Sequence, residues 1–129
     1  MKMFHCKALA LLLLLFVGPV AADGNSLLKN CKTYITYSDG VFNTQDGLDW
    51  GMCYGTIRAY TEALTLVSEF RSKGEVTMYM LNNCSNDKKY SELQLARVLV
   101  KYLEDNPKLL HYWNIGLIDE AMKESFPCS

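Results

Sequence analysis

Residues 48–71, LDWGMCYGTIRAYTEALTLVSEFR, decide the fold. Trp50, Cys53, Tyr54, Ile57, Tyr60, Leu64, Val67 and Phe70 recur every three or four positions, which is the spacing of one helix face. Ala59 and Ala63, both strong helix formers, sit beside that row. Ser72-Lys73-Gly74 then stops the pattern, with Gly74 suited to a helix C-cap. The stretch predicts a helix from about Leu48 to Arg71. Near its start Cys53 lies between Gly51 and Gly55, and Gly47 is four residues earlier. Glycine inside a helix costs about 1 kcal/mol against alanine, so these positions need a reason.

On either side the chain reads as further helices. In SLLKNCKTYITY, residues 26–37, Leu27, Leu28, Cys31, Tyr34 and Ile35 fall at helical spacing. Ser26 is suited to cap that helix. SDGVFNTQDG, residues 38–47, holds two Asp-Gly pairs and predicts a loop. EVTMYMLNN, residues 75–83, alternates weakly; with no second strand to pair with, an extended connector is expected. Ser91-Glu92-Leu93-Gln94 has the capping-box form. The helix after it, to about Glu104, is apolar around most of its circumference, as expected of a central helix buried on several sides. Asn106 precedes Pro107 and is pushed out of helical geometry. Pro107 suits the first position of a fourth helix, capped by Asn106 and running to about Glu124. That helix would carry Leu110, Trp113, Leu117 and Ala121 in one row. The expected fold class is all-α, a compact bundle of about four helices.

The N-terminus predicts export of this bundle from the cytoplasm. A short basic start with Lys2 and Lys7 precedes ALALLLLLFVGPV and then Val20-Ala21-Ala22. The apolar core of about 13 residues is too short for a span of about 20, and small residues follow it at the cleavage position. Residues 1–22 therefore predict a cleaved signal peptide, leaving residues 23–129 as one domain. Lys2 and Lys7 leave with it, so 11 basic residues face 14 acidic ones, a net charge of −3. That balance, with no basic stripe, argues against a nucleic-acid partner. After signal cleavage no membrane association is expected.

Four cysteines remain: Cys31, Cys53, Cys84 and Cys128. An even number in a small exported domain predicts two disulfides. Zinc is the competing use, but there is no C-x-x-C pair and His111 is the one histidine left. Three pairings are open. Helices three and four, joined by a short turn, would lie antiparallel, bringing Cys84 and Cys128 to the same end. Cys31 and Cys53 would then meet at similar heights on the first two helices. A bridge needs alpha carbons about 4.4–6.8 Å apart, closer than the 8–10 Å usual between helix axes. Gly47, Gly51 and Gly55 would make room for that approach; the alternative is a loosely formed helix start.

No catalytic set emerges. The cysteines are better used as bridges than as nucleophiles. His111 suits packing or capping, and acidic pairs such as Glu104-Asp105 and Asp119-Glu120 fall on polar helix faces. No hydrolase, zinc-protease or phosphate-loop motif is present, and neither cofactor nor metal is expected. Binding, not enzymatic activity, is the expected function.

Gly51-x-Cys53-x-Gly55-x-Ile57 is similar to the G-x-C-x-G-x-[IV] signature of the type VI secretion amidase immunity (Tai/Rap) proteins. Cys84, Gln94-Leu95, Val98, Lys101-Tyr102-Leu103, Asn106-Pro107, Leu110-His111, Ala121 and Phe126-Pro127-Cys128 resemble that family's C-terminal pattern in order and spacing. Two departures are the missing proline after Cys84 and a longer stretch from Glu75 to Lys89. The resemblance implies a small helical periplasmic protein, commonly a homodimer, that binds a cognate peptidoglycan amidase effector and occludes its Cys–His cleft. A loop that enters a cleft should be polar and anchored. Asn86, Asp87, Lys88, Lys89 and Tyr90, anchored by Cys84, are the first candidates for toxin contact, and residues 38–47 the second. A saposin-like lipid-binding domain is the alternative from another class, although that fold typically uses six cysteines.

Overall fold

The computed structural model describes residues 23–40, 43–72 and 90–127. Among them are four α-helices: α1 (Gly24–Thr36), α2 (Thr44–Ser72), α3 (Glu92–Asp105) and α4 (Asn114–Ser125), with a 3-10 turn at Pro107–Leu109. The all-α expectation holds. Residues 1–22, Cys84, Asn86–Lys89 and Cys128 lie outside the described residues.

α1, α2 and α3 each form where a nearby side chain satisfies one of the first amides. Asp23, rather than Ser26, caps α1: its carboxylate accepts the Ser26 N–H at 3.0 Å. α2 starts four residues before the predicted Leu48. Asn43 accepts the Asp46 N–H at 2.9 Å, and its own amide donates to the Asp46 carboxylate at 2.7 Å. This reciprocal pair draws the second Asp-Gly into the first turn. At the preceding Asp-Gly, Gly40 has φ 80°, a left-handed turn conformation suited to glycine. α3 begins as predicted, with Ser91 Oγ accepting the Gln94 N–H at 3.2 Å.

The fourth helix departs most from the sequence reading. It does not run from Pro107. The Asn106 side chain turns back to the Tyr102 carbonyl at 2.9 Å and caps nothing ahead of it. After the 3-10 turn, backbone carbonyls are taken by the start of α1. Gly24 N–H donates to Tyr112 at 3.1 Å, and the Asn25 amide donates to Leu110 at 3.2 Å. The helix resumes only at Asn114.

α3 touches every other helix and supplies Leu95, Ala96, Leu99 and Leu103 to the core. Leu27 and Cys31 from α1, Cys53 and Ile57 from α2, and Ile118 and Met122 from α4 close around it. Burying one such side chain stabilises the fold by about 1.5–3 kcal/mol. Cys31 and Cys53 are bonded, with sulfurs 2.06 Å and alpha carbons 4.9 Å apart. Beside the bridge the glycine explanation fails for Gly51 and Gly55. Both are exposed, and among the described residues a Cβ on either would meet nothing within 4 Å. The close backbone approach is at Gly24 instead. A Cβ there would lie 2.5 Å from Leu117 Cδ1 and 2.8 Å from the Leu110 alpha carbon.

Candidate functional site

Tyr90 is where the predicted toxin-contact segment enters the described structure. It is half-buried, and its ring lies on Phe126 with centroids 4.5 Å apart. The contact ties the approach to α3 to the end of α4. The second candidate, residues 38–47, divides in two. Ser38, Asp39 and Gly40 form an exposed turn, whereas Thr44 onward is helix. Trp50 anchors the turn by donating its Nε1–H to the Tyr37 carbonyl at 3.1 Å.

From Trp50 an aromatic and charged row runs along α2 at four-residue spacing. Trp50 stacks on Tyr54, with centroids 5.3 Å and planes 24° apart, and meets the edge of Tyr34 from α1 at 5.1 Å. Arg58 donates to the Tyr54 hydroxyl at 3.0 Å and to Glu62 at 2.9 Å, and lies 3.7 Å from Glu92 on α3. Burial raises the Tyr34 phenol, with the nearby Glu92 and Tyr54 adding to it. Hydrogen bonds to Tyr54 and Glu62 hold Arg58 firmly cationic. The row is thus an ordered, partly exposed surface of fixed charge. Trp50 and Tyr54 stood in the sequence as core residues, but nothing in the spacing of one helix could show that Tyr34 and Glu92 complete the row.

Two other clusters brace the bundle. Lys29 reaches Asp49 at 2.7 Å, and the Gln45 amide also donates to Asp49, which is otherwise buried. Tyr60 donates to Asp119 at 2.9 Å, and Lys123 pairs with the same carboxylate at 2.6 Å in a mostly buried position. Each buried carboxylate therefore has partners, as burial of a charge requires. His111, expected to pack or cap, is exposed and lies against Tyr112 with ring centroids 4.2 Å apart. Among the described residues no group of three or more His, Cys, Asp or Glu side chains could hold a metal ion. None of the described helices is long and apolar enough to cross a membrane.

These features define a disulfide-braced helical domain whose ordered chemistry lies on its surface. Residues 23–128 match the family of Rap1a immunity proteins. The chain belongs to that family, and its partner is therefore a cognate toxin. No curated protein and no solved structure matches it. No observation favours the saposin-like alternative.

Proposed function

We propose that the protein is a periplasmic immunity protein of the type VI secretion system, which binds a peptidoglycan amidase toxin and occludes its active site. The family match over residues 23–128 carries this reading. The match begins directly after the stretch read as a signal peptide, in keeping with export of a domain starting at Asp23. A body braced by the Cys31–Cys53 bridge suits occlusion, because a rigid surface loses little conformational entropy on binding. Asn86, Asp87, Lys88 and Lys89 form the segment that enters the toxin cleft, a second bridge from Cys84 to Cys128 anchors it, and two copies of the chain act together.

The experiment is reconstitution with the product of the adjacent reading frame. A Cys–His amidase encoded there should bind the exported protein, and its hydrolysis of peptidoglycan should stop at stoichiometric addition. Cells that export the protein should survive periplasmic delivery of the enzyme. An amidase that neither binds nor is inhibited removes the amidase assignment while leaving the family intact.

A further inference from the structure

His111, Tyr112 and Trp113 follow one another between the 3-10 turn and α4, and all are exposed. Tyr112 is 50 % and Trp113 63 % exposed. Every other Tyr, Trp or Phe among the described side chains is at least partly buried. Neither Tyr112 nor Trp113 packs on the core, so the bundle does not need their rings. The turn that carries them is nevertheless held firmly. The Tyr112 carbonyl accepts the Gly24 N–H at 3.1 Å, and the Tyr112 N–H donates to the Leu109 carbonyl at 2.9 Å. Trp113 forms an isolated antiparallel bridge with Asp23, and the Asn25 amide donates to the Leu110 carbonyl at 3.2 Å. The rings themselves are also placed. His111 lies against Tyr112 with centroids 4.2 Å apart. The Trp113 indole lies over Gly116, where a Cβ would be 2.9 Å from its Nε1 and 3.1 Å from its Cε2. Glycine weakens a helix; at Gly116, inside α4, its lack of a side chain makes the seat for that indole. Rings that are exposed yet already fixed lose little conformational freedom on binding. Trp and Tyr in such settings are the residues that most often dominate the energy of an interface.

We propose that the His111–Trp113 turn is an aromatic anchor that grips the toxin outside its catalytic cleft, with the Trp113 indole entering an apolar recess of the toxin surface. This inference rests on the toxin-binding reading above and adds a surface to it. The family supplies the occupant, because the partner of an immunity protein is a cognate toxin. The geometry allows one toxin to reach both contacts. The turn is at the opposite end of the α3–α4 pair from Tyr90 and Phe126. The 14 residues of α3 separate the two ends by about 21 Å at 1.5 Å per residue. An interface of about 800 Å² per partner is about 30 Å across, wide enough to take in both. The two contacts then divide the work. Asn86–Lys89 closes the cleft, and the aromatic turn sets how tightly the toxin is held.

The test uses the full exported protein and the amidase encoded by the adjacent reading frame. Trp113→Ala should weaken binding about thirtyfold, the loss expected of a dominant interface residue, and Tyr112→Ala about tenfold, with thermal unfolding unchanged in both. Gly116→Ala keeps every ring but displaces the indole from its seat. It should weaken binding about tenfold with unchanged helical circular dichroism, which a merely structural role for the turn would not produce. At saturation each variant should still stop hydrolysis, because the cleft is closed by another part of the chain. A second readout needs no substitution at the turn. With 5-fluorotryptophan at Trp50 and Trp113, the two tryptophans of the chain, the Trp113 fluorine resonance should respond to water in the free protein. On addition of unlabelled amidase it should shift and lose that response. Full affinity in Trp113→Ala and Gly116→Ala overturns the anchor and leaves the amidase reading standing. A wild-type protein that does not bind the amidase overturns both. A Trp113 resonance shielded from water in the free protein would show that the chain covers its own ring, and overturns the proposal. So does one that moves with protein concentration alone or with soluble peptidoglycan fragments, which would give the surface to a second copy or to the cell wall. Residual hydrolysis at saturation would put the turn in the cleft and overturn the division of work.

Discussion

Gly24 and Gly51 show how differently one residue type is used in this chain. At Gly24 a side chain would press on the Leu110 backbone as well as on Leu117, and backbone cannot swing aside as a side-chain tip can. Gly24→Ala should lower stability by about 1–3 kcal/mol, the usual cost of overpacking. At Gly51 a Cβ would meet nothing among the described residues, so Gly51→Ala should raise stability by up to about 1 kcal/mol. Urea midpoints of the two variants should therefore move in opposite directions. Asp23, next to Gly24, gives the chain a pH dependence. The Ser26 N–H donated to its carboxylate lowers its pKa below the ordinary 3.8. A lowered folded value means that its contribution is present above the ordinary carboxylate range and is lost as pH falls through the lowered value. Asp23→Asn keeps a capping oxygen but does not titrate. Between about pH 6 and about pH 2.5 the wild-type urea midpoint should fall more steeply than that of the variant, the difference opening below about pH 4. Equal slopes would remove the assignment.

At the scale of elements, the Cys31–Cys53 bridge clamps α1 to α2 across 22 residues of sequence. Replacing both cysteines with alanine should cost about 3 kcal/mol, read as a shift in urea midpoint against the oxidised wild type. Elements whose determinants are local were legible in the sequence. The Ser91 cap and the apolar run of α3 gave its bounds to within a residue, and heptad-like spacing marked the inner face of α2. Where determinants are distant, reading failed. The break between Pro107 and Asn114 depends on hydrogen bonds from Gly24 and Asn25, about 85 residues earlier in the chain. The start of α2 was missed for a local reason: Asn43 and Asp46, three residues apart, bond to each other in a stretch whose Asp-Gly pairs otherwise signal a turn. At the candidate site, Tyr90 read as part of a polar loop because Phe126, its packing partner, is 36 residues away. Gly51 and Gly55 were noticed for the right reason, their cost, but assigned to a contact that the bridge makes without them.

For the whole molecule, the Tyr90–Phe126 contact joins the two ends of the α3–α4 half. Cys84 is six residues before one ring and Cys128 two residues after the other. At about 3.3–3.6 Å per residue these lengths allow the sulfurs to meet. Peptide mapping of the exported, unreduced protein should yield Cys84 linked to Cys128; free thiols at both positions would remove the second clasp. Such a clasp would place Asn86–Lys89 between a bridge and an aromatic contact, with a polar segment held out at the start of α3. The segment and Tyr90 then divide two roles that the sequence had joined. Replacing Asn86, Asp87, Lys88 and Lys89 together with alanine should weaken toxin binding by tenfold or more, which is at least about 1.4 kcal/mol, and leave thermal unfolding unchanged. Tyr90→Ala should do something different. Its ring lies against Phe126, so its removal should lower the unfolding temperature, and any loss of affinity should follow from the loosened anchor. Calorimetric titration alongside thermal unfolding of both variants separates these effects. Full affinity in the fourfold variant would move the contact surface elsewhere, first to the Ser38–Gly40 turn and the Trp50–Tyr54–Arg58 row behind it.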